Sequence, residues 1–199
     1  EPDGTIVPNL ATEWEWSEDR LTLTLDLRDD VTFTDGTAFT ADVAAQNIVR
    51  FRDGTSPNAV NLSRVADATA VDEDTVAITM SEPDPAIETY LTQNAGLQGS
   101  PEAFESPDVE TVPVGSGPYI LNTDETVAGT SYVFDRNPDY WNPDVQYYDE
   151  VIMNVFSDTT AMLNAVQGGQ VNVAAVADNT LLDQMYASGY SEVSNELDW

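Results

Sequence analysis

Apolar and polar positions alternate along this chain in short windows whose period fixes the element each can form. Leu21, Leu23, Leu25 and Leu27 alternate with Thr22, Thr24, Asp26 and Arg28, a period of two that predicts a half-buried strand over residues 21–28. A short strand over 31–34 follows the Asp29-Asp30 turn, and Asp35-Gly36 closes the next one. The period then lengthens: Val43, Asn47, Ile48 and Phe51 mark one helical face, with Thr40 as N-cap and Asp42 in the first turn. That helix runs to about Arg52 and Asp53-Gly54 ends it. After a loop over 55–61, strands over 65–71 and 75–80 flank Asp72-Glu73-Asp74 and read as a hairpin.

A short helix over 85–93 comes next, and then Pro101, Pro107, Pro113 and Pro118 with Gly115 and Gly117 make an irregular stretch. It is the expected subdomain boundary. Beyond it the pattern predicts strands over 119–122, 131–136 and 150–156, with an aromatic loop over 137–148. Ser157 or Asp158 caps a helix that Gly168-Gly169 stops. A strand over 171–176, a helix over 178–187 and a strand over 190–193 complete the chain. Strand, helix, strand, helix, strand suggests a partly parallel sheet with crossovers, and the whole reads as a mixed α/β protein.

Composition narrows the function. Of 199 residues, 36 are Asp or Glu and only six are basic, all Arg, giving a net charge of −30; there is no Lys, His or Cys. Nucleic-acid backbone and anionic membrane surfaces both need a basic face, so neither is an expected partner. Ser-His-Asp and Cys-His nucleophile systems, thiol redox chemistry and imidazole or thiolate metal sites lack their residues. Carboxylate chemistry, hard-cation binding and binding without chemistry remain. With 41% hydrophobic residues, including 4 Trp, 8 Tyr and 6 Phe, the chain can build a core. No apolar run reaches the length of a spanning helix, and Glu1-Pro2-Asp3 does not resemble a signal peptide.

The candidate constellations mostly have plain readings. Neither Asp29/Asp30/Asp35 nor Asp72/Glu73/Asp74 has the spacing of a calcium loop, so both read as turn carboxylates. Gly115-Ser116-Gly117-Pro118-Tyr119 is neither a nucleophile elbow nor a dinucleotide fingerprint and reads as a tight turn feeding a strand. Tyr140, Trp141, Tyr147 and Tyr148 fit either a sugar-stacking platform or, more simply, a loop pinned to the core.

Taken in order, several motifs resemble those of the family 5 extracellular solute-binding proteins of ABC importers. They are Ile6-Val7-Pro8-Asn9-Leu10-Ala11 with Trp14-Glu15, the strand over 21–28 followed by Val31-Thr32-Phe33-Thr34-Asp35-Gly36-Thr37, and Thr40-Ala41-Asp42-Val43. Later come Thr75-Val76-Ala77-Ile78-Thr79, Val114-Gly115-Ser116-Gly117-Pro118-Tyr119, Arg136-Asn137-Pro138-Asp139-Tyr140-Trp141 and residues 161–173. Ser116 stands where the family usually has Thr, and Asn172 where it usually has Asp.

The resemblance implies a periplasmic-binding-protein-like fold, here a fragment of the first of two lobes. Residues 1–112 would form a β-rich inserted subdomain and residues 113–199 part of the core α/β subdomain, with the second lobe absent. It implies a non-enzymatic protein without cofactor that captures a peptide-like or other small polar solute and delivers it to ABC permease subunits. The implied location is extracytoplasmic, periplasmic or cell-surface, with a lipid anchor in the full-length protein and no membrane insertion of this fragment. Two loops border the family's cleft, and they match residues 56–61 and 94–98, which makes Asn58, Asn61, Asn94, Gly96 and Gln98 the expected ligand-facing residues. Nickel-complex binders carry an Arg in the second loop, and none occurs here. The rival readings are a secreted carbohydrate-active enzyme or carbohydrate-binding module using paired carboxylates and aromatics, and an acidic interaction domain. The excess acid suggests adaptation to a saline exterior, where salt screens self-repulsion.

Overall fold

Leu23 is fully buried, and its strand occupies the inside of a sheet. The computed structural model describes residues 3–176 and 178–192. Strand β1, Ala11–Trp16, pairs antiparallel with β2, Thr22–Leu27, placing Trp14 opposite Leu25 and Trp16 opposite Leu23. Strands β3, Val65–Ala70, and β4, Thr75–Met80, form the expected hairpin, and the sheet order is β1-β2-β4-β3. β1 was not singled out by the pattern, because Trp14 and Trp16 alternate with Glu13 and Glu15 over too few residues.

Helix α1, Ala41–Asp53, packs over β3 and β4. Thr40 caps it, its hydroxyl accepting from the Val43 amide, and the Ala41 amide bonds to Glu73 at the hairpin turn. Leu23, Leu62, Val76, Ile78 and Ile87 are all 0% exposed, at the centre of one core. Each side chain of that size stabilises the fold by roughly 1.5–3 kcal/mol through burial.

Residues 31–34 do not form the expected strand. A lone antiparallel bridge joins Thr32 to Ala38, because Gly36, at φ +86°, turns the chain back before a ladder can extend. Val31, Phe33 and Phe39 are buried even so. The expected loop at 55–61 contains a 3₁₀ turn, Pro57–Leu62, capped by the Ser56 hydroxyl. The expected helix over 85–93 shortens to α2, Ile87–Leu91, which has no side-chain cap.

A second sheet contains β5, Tyr119–Leu121, β6, Ser131–Arg136, and β7, Glu150–Asn154, in that order. β5 and β6 are antiparallel. Two bonds at opposite ends, Arg136 N–H to Asp149 O and Val155 N–H to Thr130 O, give β6 and β7 the same antiparallel sense. β2 and β7 therefore belong to different sheets. Two buried amides brace the entry to β5: Asn137 donates to Gly117 O, and Gln146 to both Pro118 O and Asn137 O.

The chain divides into two compact units. One holds residues 6–126 and 133–152, and the other the described parts of 1–5, 127–132 and 153–199. In the latter, α3, Thr159–Gln167, is capped by Asp158 and ended at Gly168, and α4, Asn179–Ala187, is capped by Asp178. Leu163, Val166 and Met185 form its buried cluster.

Residues 171–176 are not a strand, and the expected parallel crossovers do not form among the described residues. The Val171 amide turns back to Ala165 O, and Val173 is 85% exposed. Residues 190–192 are not a strand either: the Tyr190 amide bonds Met185 O and its hydroxyl Val166 O. Val193 lies outside the described residues. In both stretches the β-type sequence lacks a ladder partner among the described residues for its backbone groups.

Candidate functional site

The two loops expected at the cleft are brought side by side. The Pro57–Leu62 turn lies against both α2 and a second 3₁₀ turn, Asn94–Gly96. Asn58 and Asn94 are exposed, while Asn61, Gly96 and Gln98 are half-buried. Val60 and Leu97 stand out from these turns, 68% and 73% exposed. Residues 54–63 and 89–101 contain no charged side chain, in a chain carrying 36 acids. The fold thus assembles a surface of carboxamides and aliphatic groups with no charge of its own.

Local packing explains the loop shape. A Cβ on Gly96 would lie 1.9 Å from Leu91 O, so only glycine lets the chain double back onto the end of α2. Ala95 is 1% exposed and anchors the turn in the core. The Gln98 Nε2 donates to Gly96 O, and its Oε1 is buried without a hydrogen-bond partner among the described residues. The loop's far end is held at Gly99 and Ser100. The Gly99 amide donates to Asn47 Oδ1 at 2.9 Å, and Asn47 Nδ2 donates to Gly99 O at 3.0 Å.

Ser100 is fully buried and its hydroxyl donates to Asp35 at 2.5 Å. Burial would push the Asp35 carboxyl up, but the bonds from Ser100 and from the Thr37 amide and hydroxyl together hold it below the usual carboxylate range. Gly115 pairs with Gly99 and accepts from the Thr34 amide, so the Gly-rich run is a structural junction. An open depression of about 210 Å³ beside Asp35 is lined by Glu102, Ser106, Asp108 and Val112 among others. Its acids and single hydroxyl offer little to an uncharged solute.

The aromatic loop divides. Trp141 packs against the core with the Arg28 guanidinium 4.1 Å from its ring centre, and Tyr140 lies 5.4 Å from the Trp141 ring. Burial also raises the Tyr140 hydroxyl above its ordinary value. A ring covered by an arginine does not provide an open stacking face, so the sugar platform expected of the rival reading is not built there. Tyr147 and Tyr148 are exposed, 78% and 67%. Among the described residues, no group of three or more acids is placed to hold a metal ion, and no helix is long and apolar enough to cross a membrane.

Comparison with known proteins places the chain among relatives. Residues 5–197 match the model of the bacterial extracellular solute-binding proteins, family 5 middle. The chain is 30% identical over 177 residues to the nickel-binding periplasmic protein of Escherichia coli K12, covering 86% of this chain and 33% of that protein. It is 31% identical over 170 residues to the glutathione-binding protein GsiB of the same strain, covering 83% and 33%. Among solved structures, an ABC transporter substrate-binding protein from Sinorhizobium meliloti superposes with a TM-score of 0.81 at 26% identity, covering 94% of this chain and 40% of that one. The chain thus spans about a third of the length of the curated relatives it matches.

Proposed function

The chain belongs to the family 5 extracellular solute-binding proteins, and on that premise we propose that it is part of the substrate-binding component of an ABC importer. The full protein captures a peptide-like or other small polar solute between two lobes, without catalysis, and delivers it to permease subunits. Family membership supports an extracytoplasmic location, and the lipid anchor is part of the proposal. Within the first lobe, residues 1–112 correspond to the inserted subdomain and 113–199 to part of the core subdomain.

The observation that carries this reading is the apposition of the two charge-free loops, which offers Asn58, Asn61, Asn94, Gly96 and Gln98 to one solute. Carboxamides both donate and accept, so they suit the peptide group, whose N–H and C=O need one of each. With no Arg in residues 94–98, a bidentate hold on a carboxylate from that loop is missing. This favours a peptide-like solute over a nickel complex.

Isothermal titration of the full-length protein with a panel of neutral di- and tripeptides tests it. Binding in the micromolar range or tighter, weakened about tenfold by Asn58→Ala, is the expected result. Binding of oligosaccharides and of no peptide in the panel would overturn it.

The acidic surface belongs to the same proposal. At low ionic strength the charges repel over tens of ångströms, and added salt shortens that reach. The melting temperature should therefore rise as NaCl is added from about 10 mM, and a flat response would remove the saline-exterior reading.

A further inference from the structure

We infer that Asn47 is the positioning residue of the second loop, so that the shape presented to the solute is set from α1. This rests on the proposed reading of residues 94–98 as solute-facing. Asn47 is 8% exposed, on the face of α1 that otherwise buries Val43, Ala44 and Ile48. A buried carboxamide on an apolar face is costly unless every polar group is used. Here it is used: Oδ1 accepts from the Gly99 amide at 2.9 Å, and Nδ2 donates to Gly99 O and to Val43 O, each at 3.0 Å.

Pairing with both backbone groups of one residue reproduces what a neighbouring strand would supply, across 52 positions of sequence. Gly99 also fixes the amide's orientation, since a flip would set N–H against N–H and C=O against C=O. Leu lacks both groups, Ser lacks the second arm and Asp lacks the donor. The loop is therefore held at two points. Gly96 is seated against Leu91 at one end, Gly99 is clamped at the other, and Leu97 and Gln98 lie between. A loop fixed at both ends loses little entropy when a solute binds, which is how distant packing sets affinity.

The experiment combines backbone amide exchange with peptide titration on the full-length protein, comparing parent, Asn47→Ala and Asn47→Asp. For Asn47→Ala, exchange should quicken about tenfold or more at Gly96, Leu97 and Gly99, while Leu23 and Ile78 keep their protection. Asn47→Asp keeps an acceptor for the Gly99 amide but sets a buried carboxylate oxygen against Gly99 O and Val43 O, so it should quicken the same amides at least as much as alanine does. Affinity for the panel peptide that binds the parent should fall in the same order. Unchanged exchange at Gly99, or equal acceleration at Leu23 and Ile78, would overturn the clamp. Loop exchange that quickens with peptide affinity unchanged would overturn Asn47's part in binding. Failure of every peptide to bind the parent would count against the proposed solute class and leave the clamp to be judged by exchange.

Discussion

Both compact units carry β-patterned segments, yet in one these join by long-range backbone pairing, and in the other Val171 and Tyr190 turn back onto the ends of helices. In the unit holding residues 6–126, each strand of the β1-β2-β4-β3 sheet finds a partner, and the core gathers Leu23, Leu62, Val76, Ile78 and Ile87 at 0% exposure. In the unit holding α3 and α4, Leu163, Val166 and Met185 are buried, and the valine-rich residues 171–176 pair with no strand among the described residues. The difference lies less in apolar content than in where backbone groups are satisfied. A strand needs a neighbour for its N–H and C=O groups, whereas a helix supplies its own and needs only caps.

Emptying each core should separate the two units most. Ile78→Ala should cost about 2–5 kcal/mol, because a site enclosed by a sheet and α1 collapses poorly. Leu163→Ala, at 8% exposure on a helix pair, should fall at or below the low end of that range. Urea denaturation of each variant measures both, and equal losses would show that the helical unit is as tightly packed as the sheet.

Glycine substitutions come next in size and separate two mechanisms. Gly96→Ala forces a Cβ to within 1.9 Å of Leu91 O, and overpacking of this kind costs about 1–3 kcal/mol. Gly169 has φ +69° with nothing within 4 Å of a built Cβ, so Gly169→Ala pays only the left-handed backbone penalty of about 1–2 kcal/mol. Thermal melts should rank them in that order, and a reversed ranking would mean the second loop yields more easily than its packing implies.

The smallest effect is a pH dependence at Asp35, in the sheet unit. The Asp35 carboxyl lies below its ordinary value in the folded state, so its bond to Ser100 stabilises the protein above the unfolded value, near 3.8. That contribution is lost as pH falls through the lower folded value. Asp35→Asn should therefore reduce stability at pH 7 and make little difference well below pH 3.8, as read by melting temperature. An unchanged difference across that range would remove the bond from the account.

Local pairings were legible because their partners are near in sequence. The 65–70 and 75–80 hairpin and the pairing of 119–121 with 131–136 follow from alternation and an intervening turn. α1 was legible from Thr40 and its apolar face. β1 gives a weak signal because only four residues alternate, and 31–34 and 171–176 alternate without forming strands because alternation states a preference for a ladder without providing its other half. Of the candidate site, the residues came from family resemblance, and their apposition required the fold. Asn47 was visible only as one position on a helical face, since its partner Gly99 is 52 residues away.

Residue types alone set the exclusions, and the capped helices and turn-closed hairpins were readable locally. Residue types decide which chemistries exist, and dihedral preference, capping and periodicity act within a turn or two. The tertiary structure decided which β-patterned segments became strands, how the two neutral loops came together and what a buried carboxamide on α1 does. Each of those depends on a backbone group finding a partner far along the chain, and hydrophobic periodicity carries no record of which partner it finds.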